Sequence, residues 1–320
     1  MADAPALAIE RLDDRLPVPE RLSGAIIAMG NFDGFHAGHQ AVVGRAIQWA
    51  RAEGRPAIIA TFDPHPMRLF RPETLPFRLT TLDQRQRLFA AAGADAMLVF
   101  HFTTGLASKS AEEFVAMLGG SFGAAGVVTG QDFTFGKGRE GTVARLAELG
   151  APLGLRCEAV APIADGAGVI SSSRIRNALQ NGNCAEATRL LTRPFAIEGV
   201  VQHGAKLGRT LDFPTANIDL GNYLRPAYGV YAVRGRMPDG RIVDGVANLG
   251  IRPMIDPPIE LLESYFFDFS GDLYDQTIEV QLIAYIRPEA KLDSFDALVA
   301  QIGRDCDAAR QILAETPRLP

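Results

Sequence analysis

Cysteine is scarce in this 320-residue sequence, which contains only three copies of it. Cys157, Cys184 and Cys306 lie far apart, form no CxxC pair and are odd in number. Such spacing argues against a disulfide framework and against a cysteine-ligated zinc site. It is the usage expected of a protein that works in a reducing cytoplasm.

Long apolar runs and basic tracts are also missing. No apolar run approaches the length of a membrane span, and the acidic, proline-bearing first 23 residues lack the apolar core of a signal peptide. The formal net charge of −5 argues against a general nucleic-acid binder. With 47% hydrophobic and 22% charged residues, the chain has an ordinary globular composition and is long enough for two domains. The sequence leaves the oligomeric state open.

The most informative stretch is residues 30–39, GNFDGFHAGH. An apolar run at residues 25–29 precedes it with the length of a buried strand, and apolar residues at helical spacing follow it. A strand, a glycine turn and a helix are therefore predicted, with His36 and His39 near the helix N-terminus. Free N–H groups and the helix dipole favour an anion there. Two imidazoles three residues apart share a helix face and can donate hydrogen bonds to one phosphate group.

Glycine has a specific role in this interpretation, because it permits a tight turn and lets a ligand approach the backbone closely. The positions concerned are Gly30, Gly34 and Gly38. The pattern suits charge that develops on a nucleotide α-phosphate during transfer. The alternative is that both histidines are ordinary polar caps of a helix.

Three further stretches of the first half carry polar groups at the ends of predicted elements. The strand at 56–62 runs into Asp-Pro-His-Pro, where His65 is either a ligand-facing group or a turn residue held by its prolines. The glycines, aromatic rings and cations of the loop 131–141 suit a planar ring and phosphates, with a solvated loop as the alternative. Residues 170–176, ISSSRIR, begin a helix whose serines are either caps or, with its arginines, a pyrophosphate clamp.

The order of the elements predicts the fold of each half. Strands alternate with helices across residues 24–180, which predicts a mostly parallel, doubly wound sheet with the glycine turns and the serine–arginine helix start at its carboxyl edge. The composition changes near residues 181–183, which places the boundary between Asn183 and Arg193. Evenly spaced antiparallel strands then predict a small β-barrel or sandwich. The strands predicted there are 195–203, 229–235, 241–248, 260–269 and 277–287.

A final helix is predicted from Ser294, its N-cap, to Leu313. Its periodicity predicts one apolar face made by Phe295, Leu298, Ile302 and Ala309.

Three groups of residues carry the chemistry of the second half. The basic, glycine-bearing loop 203–210 suits a cover over phosphates, and the alternative is a solvated loop. Thr215 and Asn217 offer two hard oxygen ligands that suit Mg²⁺ better than zinc, unless they only form a turn. Glu263 is a carboxylate within an apolar strand and is either a base for a primary hydroxyl or an outward-facing strand residue.

Four motifs of the first half resemble the adenylyltransferase half of the bacterial bifunctional riboflavin kinase/FAD synthetase family: GNFDGFHAGH, TFDPHP, GQDFTFGKGREG and ISSSRIRNAL, in that order. The resemblance implies that His36, His39 and Arg174 act on the ATP phosphates while the FMN phosphate attacks the α-phosphorus. The other nucleotide-binding residues that it implies are Gly30, Asn31, Phe32, Asp33, Gly34, Gly38, Ser172 and Ser173. The flavin-binding residues that it implies are His65, Asp132, Phe133, Phe135 and Arg139.

The second half resembles the riboflavin kinase domain of the same family, a six-stranded barrel with a C-terminal helix. The motifs that carry this resemblance are GRTLDFPTANI, YGVYAV, GVANLGIRP, LESYFFDFSGDLY and IRPEAKLDSFDALVAQIGRD. It implies that Thr215 and Asn217 hold Mg²⁺–ATP and that Glu263 is the catalytic base. The phosphate-covering loop that it implies contains Gly204, Lys206 and Gly208.

Together the two resemblances imply a Rossmann-like, doubly wound FMN adenylyltransferase domain at 1–185 and a riboflavin kinase domain, a six-stranded antiparallel β-barrel with a terminal helix, at 186–320. The expected substrates and products are riboflavin, FMN, FAD and ATP, with Mg²⁺ as the cofactor. The residues that depart from the family pattern are Asp212, Met254, Tyr265 and Asp275. They leave open an adenylyltransferase whose barrel only binds flavin. A separate alternative is a nucleotidyltransferase for another phosphorylated substrate, with the barrel as an assembly domain.

Overall fold

The computed structural model describes residues 9–203, 213–252, 259–290 and 294–318. Packing divides the chain into two compact units. The first runs to Thr74 and resumes over Leu82–Ile170, and the second comprises Leu75–Thr81 and continues from Ser171. Packing is a different criterion from the assignment of motifs to functions, so the predicted functional boundary between residues 185 and 186 stays a prediction.

The first unit contains a six-stranded sheet in the order β1-β4-β3-β2-β5-β6, in which all neighbours are parallel. The predicted doubly wound parallel sheet is therefore confirmed. From β2 the chain adds strands on one side and then returns to add β5 and β6 on the other. Its strands are β1 (Glu10–Asp13), β2 (Ile26–Met29), β3 (Ala57–Asp63), β4 (Ala96–His101), β5 (Gly126–Gly130) and β6 (Arg156–Val160).

Strand β2 is fully buried because both faces of the sheet are covered. Ile27 and Met29 join one apolar cluster, whereas Ile26 and Ala28 join a second cluster that contains Trp49. This two-sided burial explains why the strand appears in the sequence as an unbroken apolar run rather than an alternating one.

Helices connect the strands of this unit, and a short antiparallel ribbon of β7 (Ala164–Asp165) and β8 (Gly168–Val169) follows β6. Side-chain caps begin several of the helices; for example, Ser110 and Glu113 form a reciprocal capping box. The helices are α1 (Ala37–Ala52), α2 (Pro66–Phe70), α3 (Leu82–Ala91), α4 (Thr104–Ala107), α5 (Ala111–Ala116) and α6 (Val143–Gly150).

The second unit contains a closed antiparallel barrel in the order β10-β13-β12-β11-β14-β9, which confirms the predicted six-stranded barrel. Helices α7 (Ser172–Gln180) and α8 (Cys184–Leu191) precede it, and α9 (Phe295–Glu315) follows it. The strands are β9 (Phe195–Gln202), β10 (Ala216–Asp219), β11 (Gly229–Arg236), β12 (Ile242–Arg252), β13 (Ile259–Phe266) and β14 (Thr277–Arg287).

Helix α9 begins as predicted, since the Ser294 hydroxyl accepts a hydrogen bond from a backbone N–H in the first turn. The predicted apolar face is partly wrong, because Phe295 and Leu298 are 61% and 37% exposed. The helix instead buries Asp305, whose carboxylate accepts hydrogen bonds from Arg287 at 2.8 and 2.6 Å. The buried face of α9 therefore includes an ion pair as well as apolar side chains.

A buried arginine of β11 holds the end of α9. Arg234 is 3% exposed, and its guanidinium donates to the carbonyl oxygens of Leu313, Thr316 and Pro317 at 2.9, 2.6 and 3.0 Å. Its Nε pairs with Asp244 at 3.1 Å. Carbonyl groups at the end of a helix lack intrahelical donors, and this one side chain supplies them.

None of the helices in the described ranges is long and apolar enough to cross a membrane. The three cysteines carry free thiols.

Candidate active sites

The histidine turn connects β2 to α1. His36 is the N-cap of α1, and its Nδ1 accepts a hydrogen bond from the backbone N–H of His39 at 3.3 Å. The two imidazole rings stack, with centroids 3.6 Å apart and planes 20° apart. Because Nδ1 of His36 is an acceptor, the proton of the neutral ring lies on Nε2, which can donate to a phosphate oxygen. The cap and the anion-binding interpretations of His36 are therefore compatible.

The backbone of this turn takes an uncommon path. Phe32, Gly34 and Phe35 all have left-handed φ angles, +47°, +86° and +45°. For glycine this carries little cost, but for each phenylalanine it costs roughly 1–2 kcal/mol. Both phenylalanine rings are buried, at 1% and 4% exposure, so packing offsets the backbone strain.

Gly38 is required for a different reason from Gly34. A Cβ built on Gly38 would lie 3.2 Å from ring atoms of His36. Gly30 is similar, since its Cβ would lie 3.0 Å from the Phe32 ring. At these two positions the missing side chain makes room for neighbouring rings. Asn31 is exposed in the same turn, and Asp33 is buried at 1% exposure.

His65 follows β3 and is the N-cap of α2, where its Nδ1 accepts the backbone N–H of Met67 at 3.1 Å. This hydrogen bond agrees with the interpretation of His65 as a turn residue held by its prolines. His65 also lies just beyond the carboxyl end of β3, the strand that neighbours β2 in the sheet.

The loop after β5 divides its side chains between the core and the surface. Phe135 is 6% exposed and packs against Phe114, with ring centroids 5.3 Å apart. Phe133 is half-buried and stacks on Phe135 at 5.9 Å, while Asp132 and Arg139 are exposed. Of the two aromatic rings in the loop, that of Phe133 is therefore the more exposed to solvent.

The structure brings three of the four predicted motifs to one edge of the sheet. The histidine turn, the Asp-Pro-His-Pro stretch and the 131–141 loop follow β2, β3 and β5, which are adjacent parallel strands. The chain reverses its direction of winding between β2 and β5. Ligands of open parallel sheets bind at the carboxyl ends of the strands at such a point.

The fourth motif begins α7, which packs with the second unit. The Ser171 hydroxyl caps the helix by accepting the backbone N–H of Arg174 at 3.3 Å, and Ser172 and Ser173 form its first turn. The Arg174 guanidinium donates to Glu186 at 2.5 Å, and Arg189 donates to the same carboxylate at 2.8 Å. Hydrogen bonds from Arg189 and then Arg174 hold the pKa of Glu186 below its usual value.

The barrel places two predicted kinase residues, Asn217 and Glu263, in one row that a third strand continues. Asn217 on β10 lies opposite Glu263 on β13, and Glu263 lies opposite Asn248 on β12. Thr215 immediately precedes β10. Asn248 was not singled out from the sequence; its Nδ2 donates to Glu289 at 3.1 Å.

One atom of this row, the carbonyl oxygen of Asn217, is buried away from solvent. Asn217 is 7% exposed, and its Oδ1 is buried without a hydrogen bond among the described residues. A buried carbonyl oxygen normally has a donor or a cation, because leaving it unsatisfied is costly. The Thr215 hydroxyl and the Asn217 carbonyl oxygen are hard donors, so the residues fit a Mg²⁺ ion.

Several predicted or divergent residues lie outside the described ranges. They are Gly204, Lys206, Gly208, Asp212 and Met254. Two other divergent residues are described. Tyr265 packs edge-on against Phe213 and Phe267, with ring centroids 5.2 and 5.9 Å away. Asp275 has a left-handed φ of +59°, a conformation that aspartate tolerates better than most residues other than glycine.

Sequence reasoning also passed over Arg85, a residue of α3 that is 1% exposed beneath the histidine turn. In the sequence, Arg85 shares a helix face with the apolar Phe89, four positions later. This spacing does not distinguish a buried arginine from one whose charged end reaches solvent.

Comparison with known proteins covers almost the whole chain. The FAD synthetase family matches residues 18–174, and the riboflavin kinase family matches residues 191–313. The bifunctional riboflavin kinase/FMN adenylyltransferase of Escherichia coli K12 is 37% identical over 92% of this chain and 94% of its own length. The Bacillus subtilis 168 protein of the same name is 35% identical over 90% of this chain and 92% of its own length.

A crystal structure described as a macrolide-efflux protein from Streptococcus pneumoniae is also similar, with a TM-score of 0.84 and 31% identity. The match covers 94% of this chain and 99% of that one. The parallel sheet lies mainly in the part that matches the FAD synthetase family, and the closed barrel lies in the part that matches the riboflavin kinase family. The chain therefore belongs to the family of bifunctional riboflavin kinases/FMN adenylyltransferases.

Proposed function

We propose that this chain phosphorylates riboflavin to FMN and then adenylylates FMN to FAD, using ATP in both reactions. The observation that carries the proposal is the presence in one chain of two family matches, FAD synthetase and riboflavin kinase. The curated relatives carry both activities in their names. We place the functional boundary between residues 185 and 186. We also place both reactions in the cytoplasm, because the scarcity of cysteine suits a reducing compartment.

Adenylyl transfer requires no nucleophilic side chain. An oxygen of the FMN phosphate attacks the α-phosphorus of ATP, the bond from that phosphorus to the bridging oxygen breaks, and pyrophosphate leaves. His36 and His39 donate hydrogen bonds to the phosphates and stabilise the charge that develops there, which is an electrostatic contribution. Asn31, Phe32 and Asp33 shape the surrounding turn, together with the glycines already described.

The serine–arginine start of α7 supplies the next contribution. Ser172, Ser173 and Arg174 position the triphosphate, because backbone N–H groups at a helix N-terminus and a guanidinium both bind phosphate oxygens. The Glu186 carboxylate restrains the Arg174 side chain at 2.5 Å and so limits its rotamers.

The flavin ring occupies the sheet edge beside the loop after β5. Phe133 offers a ring for stacking, while Asp132 and Arg139 offer polar contacts to the ring and phosphate. Phe135 supports Phe133 from the core, where their rings stack. His65, which follows the end of β3, offers a further polar contact to the flavin.

Riboflavin phosphorylation belongs to the barrel. Glu263 accepts the proton of the primary hydroxyl, and the resulting oxygen attacks the γ-phosphorus of ATP with release of ADP. Thr215 and Asn217 would hold Mg²⁺, which offsets phosphate charge when it is bound. The loop with Gly204, Lys206 and Gly208 covers the phosphates in this proposal.

The first test is a product analysis. Purified protein is incubated with ATP and Mg²⁺ plus either riboflavin or FMN, and the flavins are separated by chromatography. We expect FAD from both starting points. FAD from FMN alone would favour the alternative in which the barrel only binds flavin, and no FAD from either would refute the proposal.

Two variants separate the sites. His39→Ala should lose FAD formation from FMN and keep riboflavin phosphorylation, whereas equal loss of both would indicate misfolding or a shared site. Glu263→Ala should lose FMN formation and still convert supplied FMN to FAD. Unchanged FMN formation in Glu263→Ala would show that the assigned base is wrong.

A further inference from the structure

Arg85 lies directly beneath the histidine turn and contacts its backbone. Its Nη1 donates to the carbonyl oxygen of Asn31 at 3.2 Å and to the Thr61 hydroxyl at 2.7 Å. The Thr61 hydroxyl in turn donates to the same Asn31 carbonyl at 2.8 Å. Two donors thus converge on one carbonyl, at the point where β2 gives way to the turn.

Helix α3 touches the turn a second time through Phe89, four residues after Arg85. The Phe89 ring meets those of Phe32 and Phe35 edge to face, at 5.8 and 5.2 Å. These are the two phenylalanines with left-handed φ angles. Because positions i and i+4 share a helix face, one face of α3 contacts both the polar and the strained parts of the turn.

The contact continues to the imidazoles. The Phe32 ring is edge-on to His39 at 5.3 Å, and His39 stacks on His36 at 3.6 Å. A change in the path of the turn at Asn31 or Phe32 therefore moves the rings assigned to the ATP phosphates. Small displacements of such groups lower turnover strongly, since their effect depends on geometry.

The burial of Arg85 indicates that its guanidinium has a specific role at this position. Taking a guanidinium out of water is costly unless its donors find acceptors, and an apolar residue would serve helix packing at less cost. The left-handed phenylalanines also need surroundings that hold them in place.

We propose that Arg85 is a positioning residue for adenylyl transfer, which fixes the Asn31 carbonyl and thereby the placement of His36 and His39. The inference rests on the proposed role of these histidines. Arg85 itself contacts the backbone of the turn, and its effect on the reaction passes through that turn.

The test compares variants of Arg85 with a matched variant on the same helix. Arg85→Met keeps the length of the side chain and removes its donors, Arg85→Lys keeps one donor group, and Thr61→Val removes the hydroxyl with little change in shape. Arg87→Met is the control, because Arg87 is exposed on α3. FMN formation from riboflavin is measured in every variant as a second, independent activity of the same chain.

We expect kcat for FAD formation from FMN to fall at least roughly tenfold in Arg85→Met, with KM for ATP changed by less than about threefold. Arg85→Lys should recover part of the loss, and Thr61→Val should show a loss of the same kind. Combining Arg85→Met with Thr61→Val should add little, because both act on one carbonyl. The ¹⁵N signals of the His36 and His39 rings should shift in Arg85→Met and stay in place in Arg87→Met.

A purely structural Arg85 would give a different result. Turnover per folded molecule would then equal that of Arg87→Met, and any loss would follow the folded fraction measured by unfolding; either result overturns the proposal. If Arg85→Met does not fold, full turnover of FAD formation in Thr61→Val and Arg85→Lys overturns it instead. Absence of FAD formation by the unaltered protein would refute the proposed function rather than this inference.

Discussion

Replacing Asn217 by alanine should separate stability from catalysis in the barrel. The Oδ1 atom is buried without a hydrogen bond among the residues that the structure describes, a state that costs about 1–3 kcal/mol. Alanine removes the atom and this cost, and it gives up about 1 kcal/mol of side-chain packing. The free energy of unfolding of the magnesium-free barrel should therefore stay constant or rise by about 0–2 kcal/mol.

Activity should move in the opposite direction. If Oδ1 is a ligand for the ATP-bound cation, its removal should lower the rate of FMN formation by roughly 10²-fold, the loss typical of one stabilising group in an active site. FAD formation from supplied FMN should remain unchanged, because it depends on other residues. A more stable barrel that has lost its kinase activity is the signature of an atom kept for a ligand.

The aromatic residues allow the two units to be followed separately. The single tryptophan, Trp49, lies in α1 of the first unit, and all six tyrosines lie in the second. Urea unfolding monitored by tryptophan emission and by tyrosine near-ultraviolet circular dichroism thus reports each unit without assuming a single transition. Asn248→Ala is the matched control: Asn248 donates to Glu289 at 3.1 Å, so its loss should lower barrel stability by up to about 1 kcal/mol.

Two results would contradict this reasoning about Asn217. A loss of more than about 1 kcal/mol of barrel stability in Asn217→Ala would mean that its side chain is satisfied within the protein. Unchanged FMN formation would mean that the atom has no part in phosphoryl transfer.

Three further perturbations have defined outcomes. Gly38→Ala places a Cβ 3.2 Å from the His36 ring, so FAD formation should fall by roughly tenfold with FMN formation intact, and equal rates would mean that the ring moves without consequence. Glu186→Gln weakens the restraint on Arg174, so KM for ATP in FAD formation should rise by roughly threefold; a fall would mean that the carboxylate competes with phosphate. Burial raises the pKa of the Cys157 thiol to about 11, which leaves about 0.1% thiolate at pH 8. Cys157 is half-buried, so iodoacetamide at that pH should label it far more slowly than a free thiol, as followed by mass spectrometry. Labelling as fast as that of a free thiol would contradict the raised pKa.

The parallel sheet was predictable because its inner strands are buried on both faces and are therefore unbroken apolar runs, as at Ile26–Met29. In the barrel, five strands were found from alternation, but β10 was not. It has only four residues, Ala216–Asp219, and it exists through pairing with β9 and β13, which are distant in sequence. Alternation over so short a segment is no guide, although the six-stranded family resemblance implied that a strand was missing.

Side-chain placement was harder to predict than the elements. Phe133 and Phe135 are two residues apart in one glycine-rich loop, yet one is half-buried and the other belongs to the core beside Phe114. Nothing in the local sequence distinguishes them, because the difference comes from a helix in another part of the chain. Arg85 was missed for the same reason, since its acceptors Thr61 and Asn31 come from another strand and turn.

The hold of Arg234 on the last turn of α9 has a consequence for synthesis on the ribosome. The parallel sheet is complete once β6 has emerged at Val160, whereas the barrel needs β14 to close and Pro317 to satisfy the Arg234 guanidinium. At about 5–20 residues per second, the barrel reaches its final form roughly 10–30 s after the sheet can form. From the emergence of β9 until β14 pairs with it, the nascent barrel exposes unpaired strands, which are the kind of segment that chaperones protect during translation.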